Sequence, residues 1–197
     1  MRYQPDHKEK TRRRVLEEAT KAIRRQGPHR LGIARVMKQA GLTHGGFYAH
    51  FSSKDALVSA AIAAMFDRTL ERWTRATHDR PPEAGLADYI ESYLSAEHRD
   101  TRSGGCPIAA LASDLPRLAA PSRAAFAAGV RRLADAMAAQ LERVGHEKPA
   151  ILARSVIAEL FGSLSLARCE PDRERSDAIL VAARQSLLRR LGLRRPS

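Results

Sequence analysis

The residues from 43 to 50 carry several polar groups at close spacing. Thr43, His44, Tyr48 and His50 fall within about two turns of a helix. Hydroxyl and imidazole groups of this kind can contact DNA, where they bind base edges and backbone phosphates. A plain corner between two helices, without DNA contact, is the alternative interpretation of the same residues.

The preceding residues predict the element that positions these groups. Ile33, Val36 and Met37 have the spacing of one apolar helical face. Gly41 then ends that helix, because glycine enters the left-handed conformation without steric cost. Thr43 is a favourable N-cap for the next helix. A helix, a glycine turn and a second, polar helix form the helix-turn-helix pattern, in which the second helix enters the major groove.

Two aromatic residues and two glycines shape the second helix. Phe47 and Phe51 are four residues apart and fall on its inner side. Gly45 and Gly46 each cost about 1 kcal/mol relative to alanine within a helix. A backbone without side chains can approach a neighbour closely, and DNA is one candidate for that neighbour.

The charge of the chain is strongly positive and uneven. The net charge is +12 over 197 residues, with an isoelectric point near 10.6. Residues 1–55 hold 13 basic and 5 acidic side chains, whereas residues 56–197 hold 21 and 17. The excess therefore concentrates around the helix-turn-helix, which favours a polyanionic partner. A uniformly basic surface without such a partner is the alternative.

Several classes of protein and site are disfavoured by the sequence. It has no run of 18 apolar residues, and its charged N-terminus lacks the apolar segment of a secretory signal. Two cysteines, Cys106 and Cys169, are too few for a disulfide framework or a structural zinc site. No catalytic, nucleotide-binding or metal-ligand motif occurs. We therefore expect a cytoplasmic protein that is not an enzyme and has no metal or other cofactor.

Helical periodicity continues through the rest of the chain. The pattern predicts an all-α fold of about nine helices, without strand-like alternation or internal repeats. Besides the two helices of the helix-turn-helix, helices are expected at about 9–26, 53–78 (capped by Ser52 or Ser53), 83–97, 108–112, 121–144, 149–167 and 173–191. After the last helix we expect a frayed, basic tail at 189–197.

The helix at 149–167 is apolar on most of its circumference. A helix of this kind is normally buried. A second copy of the chain would cover it if the last two helices, 149–167 and 173–191, paired with their symmetry mates. A monomeric bundle with this helix at its centre is the alternative.

The N-terminal segment resembles a known family. TRRRVLEEATKAIRRQG, followed by IARVMKQAGLTHGGFYAHFSSKDALV, is similar to the DNA-binding domain of the TetR family of bacterial one-component regulators. The similarity covers about residues 10–60. The segment GCPIAAL at 105–111 resembles one branch of that family, whose sixth helix begins with Gly-Cys-Pro.

The resemblance implies a ligand-responsive transcriptional regulator, most often a repressor. It implies a DNA-binding domain at 1–52 and a ligand-binding and dimerisation domain at 53–197. A homodimer would bind a palindromic operator and leave it when a small-molecule inducer moves the two heads. The helix that begins at Ser53 would transmit this movement because it touches both domains.

The resemblance also assigns contacts to DNA. Many family members carry Thr or Ser where this chain has Leu31 and Gly32, so Arg30 or Arg35 is expected to supply the phosphate contact there. Lys54, at the start of a helix, matches a further phosphate contact. The positions that match the operator-facing residues of the family are Thr43, His44, Gly45, Tyr48 and His50.

Aromatic and sulfur-containing residues beyond the head are the candidates for ligand binding, although plain core packing is the alternative for each. Cys106 follows two glycines and precedes a short helix, whose N-terminus would lower the pKa of a thiol. It is either a sensor of electrophiles or oxidants or a small buried residue, and the sequence favours the second. The candidates are Phe66, Trp73, Tyr89, Tyr93, Cys106, Phe126, Met137 and Phe161.

Two other functions remain open from the residues alone. A basic chain could bind an anionic membrane surface through its first helix and its arginine-rich tail, although Glu17 and Glu18 interrupt that helix. A helical module that binds a protein partner is the other. Sequence-specific, salt-dependent DNA binding distinguishes a regulator from both.

Overall fold

The computed structural model describes residues 5–193, in which turns and loops join helices and no β-strand occurs. The prediction of an all-α fold is confirmed. Three short 3-10 helices, His44–Ala49, Arg102–Gly104 and Leu115–Arg117, join nine α-helices. These are α1 (Pro5–Gln26), α2 (Ile33–Gln39), α3 (Lys54–Thr77), α4 (Pro82–Tyr93), α5 (Ala96–Asp100), α6 (Pro107–Leu111), α7 (Ala120–Val144), α8 (Pro149–Cys169) and α9 (Arg173–Arg190).

The predicted helix at 83–97 is wrong at its C-terminal end. The backbone leaves the helical region at Leu94, with φ −95° and ψ 48°. The hydroxyl of Ser95 then accepts a hydrogen bond from the backbone N–H of His98, at 3.1 Å, and starts α5. A serine cap thus divides one predicted helix into two.

The ends of the chain also differ from prediction. Helix α1 already includes Pro5, the first described residue, four positions before the predicted start at residue 9. The predicted frayed tail is wrong for residues 189–193, since Leu191 and Leu193 are buried. Residues 194–197 of that tail lie outside the described part of the chain.

The turns around the helix-turn-helix follow the sequence with one exception. Gly41 has a φ of +70°, as the predicted left-handed turn requires. Ser53 caps α3 by accepting a hydrogen bond from the N–H of Ala56 at 3.1 Å. Thr43 occupies the N-cap position of the next helix, but its side chain makes no capping hydrogen bond, so that part of the prediction is wrong.

Helix α3 joins the N-terminal head to the rest of the molecule. It packs most extensively against α7 and also against α1 and α4. Its 24 residues span about 36 Å at 1.5 Å per residue. One continuous apolar core therefore extends from Val15 in α1 to Leu193 after α9.

A close contact between α3 and α7 depends on a glycine. The ring of Phe66 lies directly against Gly129, where an added Cβ atom would be 2.2 Å from the ring. Phe126 meets the same ring edge to face, with 5.3 Å between centroids. Gly129 thus allows the two longest helices of the body to approach each other closely.

Helix α8 is buried on one side only. Ala153, Val156 and Leu160 lie on its inner side, whereas Ile151 and Leu166 are 66% and 64% exposed. By length and composition α8 would also be apolar enough to cross a membrane, a test that core helices of other proteins pass as well. Its packing against α7 and α9 accounts for the inner side and leaves the outer apolar side without cover.

Candidate DNA-binding surface and ligand cavity

Phe47 anchors the second helix of the head. Its side chain is fully buried, and the ring of Phe51 stacks on it with 5.9 Å between centroids. The ring of Tyr48 meets Phe47 edge to face at 5.2 Å, yet 69% of Tyr48 remains exposed. The buried phenylalanines therefore fix the position of an exposed tyrosine.

Four of the five residues matched to the operator contacts share this exposed surface. Thr43, His44, Gly45 and Tyr48 are all exposed. An added Cβ atom at Gly45 would have no neighbour within 4 Å, so the backbone there is open to an approaching molecule. We call these four residues the recognition surface.

His50 lies apart from the recognition surface. It is partly buried, and its Nδ1 atom has no hydrogen-bond partner in the described part of the chain. Burial lowers the pKa of His50, and the charges of Lys8 and Arg12 lower it further. Arg12 itself lies over the ring of Phe51, 4.9 Å from its centroid. The nearest charges thus belong to α1, and they favour the neutral imidazole.

The residues assigned to phosphate contact lie around this surface. Arg30 and Arg35 are exposed on the loop before α2 and on α2 itself. Lys54 is the first residue of α3, and its Nζ donates a hydrogen bond to the carbonyl of His29 at 3.0 Å. An ammonium group has three donors, so this internal bond leaves capacity for a phosphate oxygen.

Two arginines, one in α1 and one in α3, hold the head together. Arg14 donates a hydrogen bond to the carbonyl of Ala40 at the end of α2, and Arg68 of α3 binds the carboxylate of Glu17 at 3.0 Å. These contacts fix α1 to α2 and to α3. The position of the recognition surface is thereby tied to α3.

A cavity of about 480 Å³ opens beside the C-terminal half of α3. Helices α3, α4 and α5 and the segment before α6 enclose it. Of the eight residues proposed from the sequence to bind a ligand, Tyr89, Tyr93 and Cys106 line it. The full lining is Thr69, Arg72, Arg75, Ala76, Asp88, Tyr89, Ser92, Tyr93, Ser95, Glu97, His98, Thr101, Gly104 and Cys106.

The other five proposed ligand residues lie outside this lining. Trp73 packs edge to face behind Tyr89, with 4.6 Å between ring centroids. Phe66 and Phe126 pack on each other, Met137 is fully buried and Phe161 packs against the core. Helical periodicity cannot tell a residue beside a cavity from one beneath it, because both occupy the inner face of a helix.

His98 organises one end of the cavity. Its Nδ1 is 2.7 Å from the carbonyl of Tyr93, and its Nε2 accepts a hydrogen bond from the backbone N–H of Cys106 at 3.1 Å. Both bonds are satisfied by a neutral ring that carries its proton on Nδ1. Burial lowers the pKa of His98, and nearby arginines add to that effect against the opposing Tyr93 hydrogen bond. The neutral imidazole therefore connects α4 to the start of α6.

The tyrosines of the cavity wall are neutral as well. Burial raises the pKa of Tyr89 and of Tyr93. Their rings lie 6.0 Å apart, and the ring of Tyr93 meets that of His98 at 4.7 Å. Together they form an aromatic wall that suits the apolar part of a ligand.

Two arginines connect this end of the cavity to the last two helices. Arg168 of α8 donates to the carbonyls of His98 and Arg99, at 3.0 and 3.1 Å. Arg99 is 5% exposed and donates to the hydroxyl of Ser176 on α9 at 2.8 Å. It also binds the carboxylate of Asp177. Sequence reasoning missed these residues, since isolated arginines give no signal until the fold brings their partners together.

Cys106 is buried and Cys169 is exposed. Cys106 stands at the N-cap of α6 and Pro107 follows as the first helical residue. Between residues 5 and 193, no group of three or more His, Cys, Asp or Glu residues could hold a metal ion.

Comparison with known proteins assigns the head to a family. Residues 15–61 match the family model of bacterial regulatory proteins of the TetR family. This segment of the chain is therefore similar to the DNA-binding part of the TetR family. It contains α1 from Val15 onward, α2, the recognition surface and the start of α3.

Curated relatives are similar over slightly less than half of the chain. An HTH-type transcriptional regulator of Escherichia coli K12, UidR, is 33% identical over 91 residues, which are 45% of this chain and 43% of UidR. An uncharacterized HTH-type transcriptional regulator of Bacillus subtilis 168, YvdT, is 30% identical over 90 residues, 44% of this chain and 46% of YvdT. The match thus spans less than half the length of either relative.

Solved structures extend the similarity of fold to nearly the whole chain. The reduced form of E. coli NemR aligns with a TM-score of 0.81 at 20% identity, covering 91% of this chain and 97% of NemR. A TetR transcriptional regulator of Chloroflexus aurantiacus aligns at 0.80 and 21% identity, covering 95% and 96%. At such identities the alignments establish the fold of the C-terminal helices and leave their ligand open.

Proposed function

We propose that this protein is a DNA-binding transcriptional regulator that acts in the cytoplasm as a repressor. Its DNA-binding part is proposed to lie in residues 1–52. The recognition surface carries the proposal, because it presents four exposed residues on a turn that buried Phe47 holds in place. It lies within the family match and within the most basic part of the chain. A TetR-family head with this surface fits the major groove.

The regulator is proposed to act as a homodimer through α8 and α9. Ile151, Ala158, Gly162 and Leu166 follow the exposed side of α8 at helical spacing. A Cβ atom added at Gly162 would meet nothing within 4 Å, so a second helix could approach closely there. Two heads must be about 34–36 Å apart to occupy successive major grooves, and a two-fold axis through this face would relate them to a palindromic operator.

An inducer in the cavity is proposed to act through α3. Thr69, Arg72 and Arg75 of this helix line the cavity, while Lys54 begins the same helix beside the loop before α2. A helix is stiff over this length, so a shift at the cavity changes the position of the head. The proposed result is a change in head spacing that releases the operator.

Two alternative roles are proposed for Cys106, a sensor of electrophiles or oxidants and a buried packing residue. Its side chain is 4% exposed, which supports packing beneath the loop. Labelling of the native protein with iodoacetamide, read by intact mass, distinguishes the two roles. A native Cys106 that resists the reagent while the exposed Cys169 reacts contradicts a sensor.

Fluorescence anisotropy tests the proposed function. Purified protein is titrated into labelled DNA from the region upstream of its own gene and into scrambled DNA of the same composition, at several salt concentrations. We expect one segment to bind at least about a thousandfold more tightly than the scrambled control. Equal, steeply salt-dependent binding to all duplexes, including genomic fragments from other loci, contradicts a sequence-specific regulator.

A module that binds anionic membranes or a protein partner is the competing function. The exposed apolar side of α8 is the observation that favours it. Vesicles with and without anionic lipid distinguish it from a regulator. Binding to anionic vesicles without any preference among DNA sequences would favour the membrane module.

A further inference from the structure

Arg24 is a buried cation in α1 that the DNA-binding head does not use. It is 7% exposed, and its Nε atom has no hydrogen-bond partner among residues 5–193. No carboxylate of the described chain forms an ion pair with it. Buried charges are normally paired and hydrogen-bonded, because an unpaired one loses its hydration without compensation.

The nearest charged groups increase this imbalance. Burial, together with the charges of Arg72 and Arg68, lowers the pKa of Arg24 to about 10. The guanidinium is nevertheless protonated at neutral pH. Arg68 is compensated by Glu17, at 3.0 Å, whereas the Nη1 of Arg72 reaches only the carbonyl of Gly104, at 2.7 Å. Neither Arg24 nor Arg72 thus forms an ion pair with a carboxylate among the described residues.

Arg24 is not part of the wall that lines the cavity, but its charge reaches that wall. Its charge acts on His98 and on Arg72, both of which line the cavity. Helix α1 reaches this wall through its packing against the 3-10 helix Arg102–Gly104 and against α6. An anion beside Arg72 would therefore experience the charge of Arg24 as well.

The other charges of the cavity support the same conclusion. Arg75 is a second cation in the lining, and Asp88 and Glu97 are its two acidic members. Asp88 is already paired with Arg80 at 2.5 Å. Glu97 lies at the start of α5 and is exposed. The end of the cavity near Arg72 is therefore positively charged, whereas its wall of Tyr89 and Tyr93 is aromatic.

We propose that the effector of this protein is a small organic anion, with a carboxylate-type group beside Arg72, where the charge of the buried Arg24 also acts, and an apolar body against Tyr89 and Tyr93. This inference rests on the proposed function, because it names the chemical class of that regulator's ligand. Arg24 belongs to α1 and Arg72 to α3, so one anion joins the two helices that hold the head.

The first test asks whether Arg24 is a structural or a ligand-binding residue. Arg24→Met keeps most of the side-chain volume and removes the charge. In extensively dialysed protein, we expect this variant to melt at the same temperature as the parent or higher, because an uncompensated cation is lost. The control is Arg25→Met at the exposed neighbouring position, which should melt like the parent. A drop of several degrees for Arg24→Met alone overturns the proposal.

The second test measures the preference for an anion. Thermal shifts are compared for matched probes: benzoate, benzamide and benzylamine, and 2-naphthoate, 2-naphthamide and 2-naphthylmethylamine. We expect at least one carboxylate near saturation to raise the melting temperature by about 5 °C and its amide and amine to raise it far less. Arg24→Met and Arg72→Met should remove this difference, whereas Arg25→Met should keep it. Equal responses to the three charge types, or no response to either carboxylate, overturn the proposal.

Failure of this inference can be told apart from failure of the proposed function. The melting experiments contain no DNA, and the anisotropy experiment requires no effector. Specific DNA binding without a carboxylate response leaves a regulator with a different ligand. A carboxylate response without specific DNA binding leaves the anion site and removes the regulator. If both hold, the effective carboxylate should weaken operator binding by at least about fivefold.

Discussion

At the scale of single residues, the recognition surface depends on two adjacent side chains that differ in burial. Phe47 is fully buried and Tyr48 is 69% exposed, although they are adjacent in the chain. The spacing of Phe47 and Phe51 was enough to predict which side faces inward. It was not enough to place His50, which is partly buried and whose pKa is lowered by that burial and by the charges of Lys8 and Arg12 from a different helix.

Tyr48→Ala tests the assignment of base contact. The substitution removes an exposed ring without opening the core, so the protein should keep its melting temperature. We expect specific DNA binding to weaken by about tenfold or more and nonspecific binding to change little. Tyr48→Phe, measured beside it, separates the hydroxyl group from the ring. Equal losses on specific and scrambled DNA would mean that Tyr48 does not read bases.

Lys54→Ala tests the assignment of phosphate contact. Loss of one phosphate contact should weaken binding to all duplexes similarly and reduce the slope of log K against log salt by about 1. Lys54→Gln is the control, because an amide can still donate to the carbonyl of His29 without carrying charge. If Lys54→Gln binds like the parent, the lysine only ties the loop to α3. A changed sequence preference would also disprove the phosphate role.

His98→Gln tests the hydrogen bonds at the end of the cavity. In the folded protein, burial lowers the pKa of His98 below its ordinary value of 6.5. As the pH falls, His98 therefore takes up a proton in the unfolded chain before it does so in the folded protein. The stabilisation from neutral His98 is therefore present above pH 6.5 and declines below it. We expect the parent to lose more thermal stability than His98→Gln between pH 7.5 and 5.5. Parallel melting curves for the two proteins would contradict this role.

At the scale of secondary-structure elements, the sequence predicted helices better than their breaks. Periodic apolar residues located α3, α7, α8 and α9 to within a few residues. The break at Leu94 was missed, because Ser95 can continue a helix or cap one and its choice depends on the packing of α5. The second helix of the helix-turn-helix, His44–Ala49, is a 3-10 helix, consistent with the low helix propensity of Gly45 and Gly46.

The cavity could be predicted only in part. Tyr89, Tyr93 and Cys106 were selected as aromatic or sulfur-containing residues, and each lines it. Its polar members, such as Arg72 and Ser92, were missed because an exposed helical face has the same composition. Arg24 follows the buried Ile23 in α1 and is buried as well, although a charged residue beside an apolar helical face is normally expected to be exposed.

Ala158→Glu tests the role of α8 in assembly. Ala158 is exposed on the outer side of the helix, so the fold should tolerate the substitution. In a dimer, the new carboxylate would face its symmetry mate without a partner, at a cost of several kcal/mol. We expect the variant to sediment as a monomer where the parent sediments as a dimer. Ala139→Glu, at an exposed position of α7, is the control and should leave assembly unchanged. A dimeric Ala158→Glu would place the interface elsewhere.

At the scale of the whole molecule, one helix connects three proposed activities. Helix α3 starts beside the recognition surface, lines the cavity in its second half and packs along α7. Arg99 and Arg168 continue the connection from the cavity to α8 and α9. We therefore propose a dimer in which cavity, head and interface move together. The central claim is that this dimer recognises a two-fold symmetric DNA sequence.

Selection from a random pool of duplexes tests this claim most directly, because it does not depend on where the operator lies. Dialysed protein is incubated with the pool at physiological salt, and bound DNA is amplified and sequenced over several rounds. The account predicts enrichment of an inverted repeat whose half-sites lie about 10 base pairs apart, or a multiple of that. It also predicts that Tyr48→Ala loses the enrichment and Arg25→Met retains it. A pool that stays random while DNA is still bound would contradict the account and leave a basic head that binds DNA without reading it.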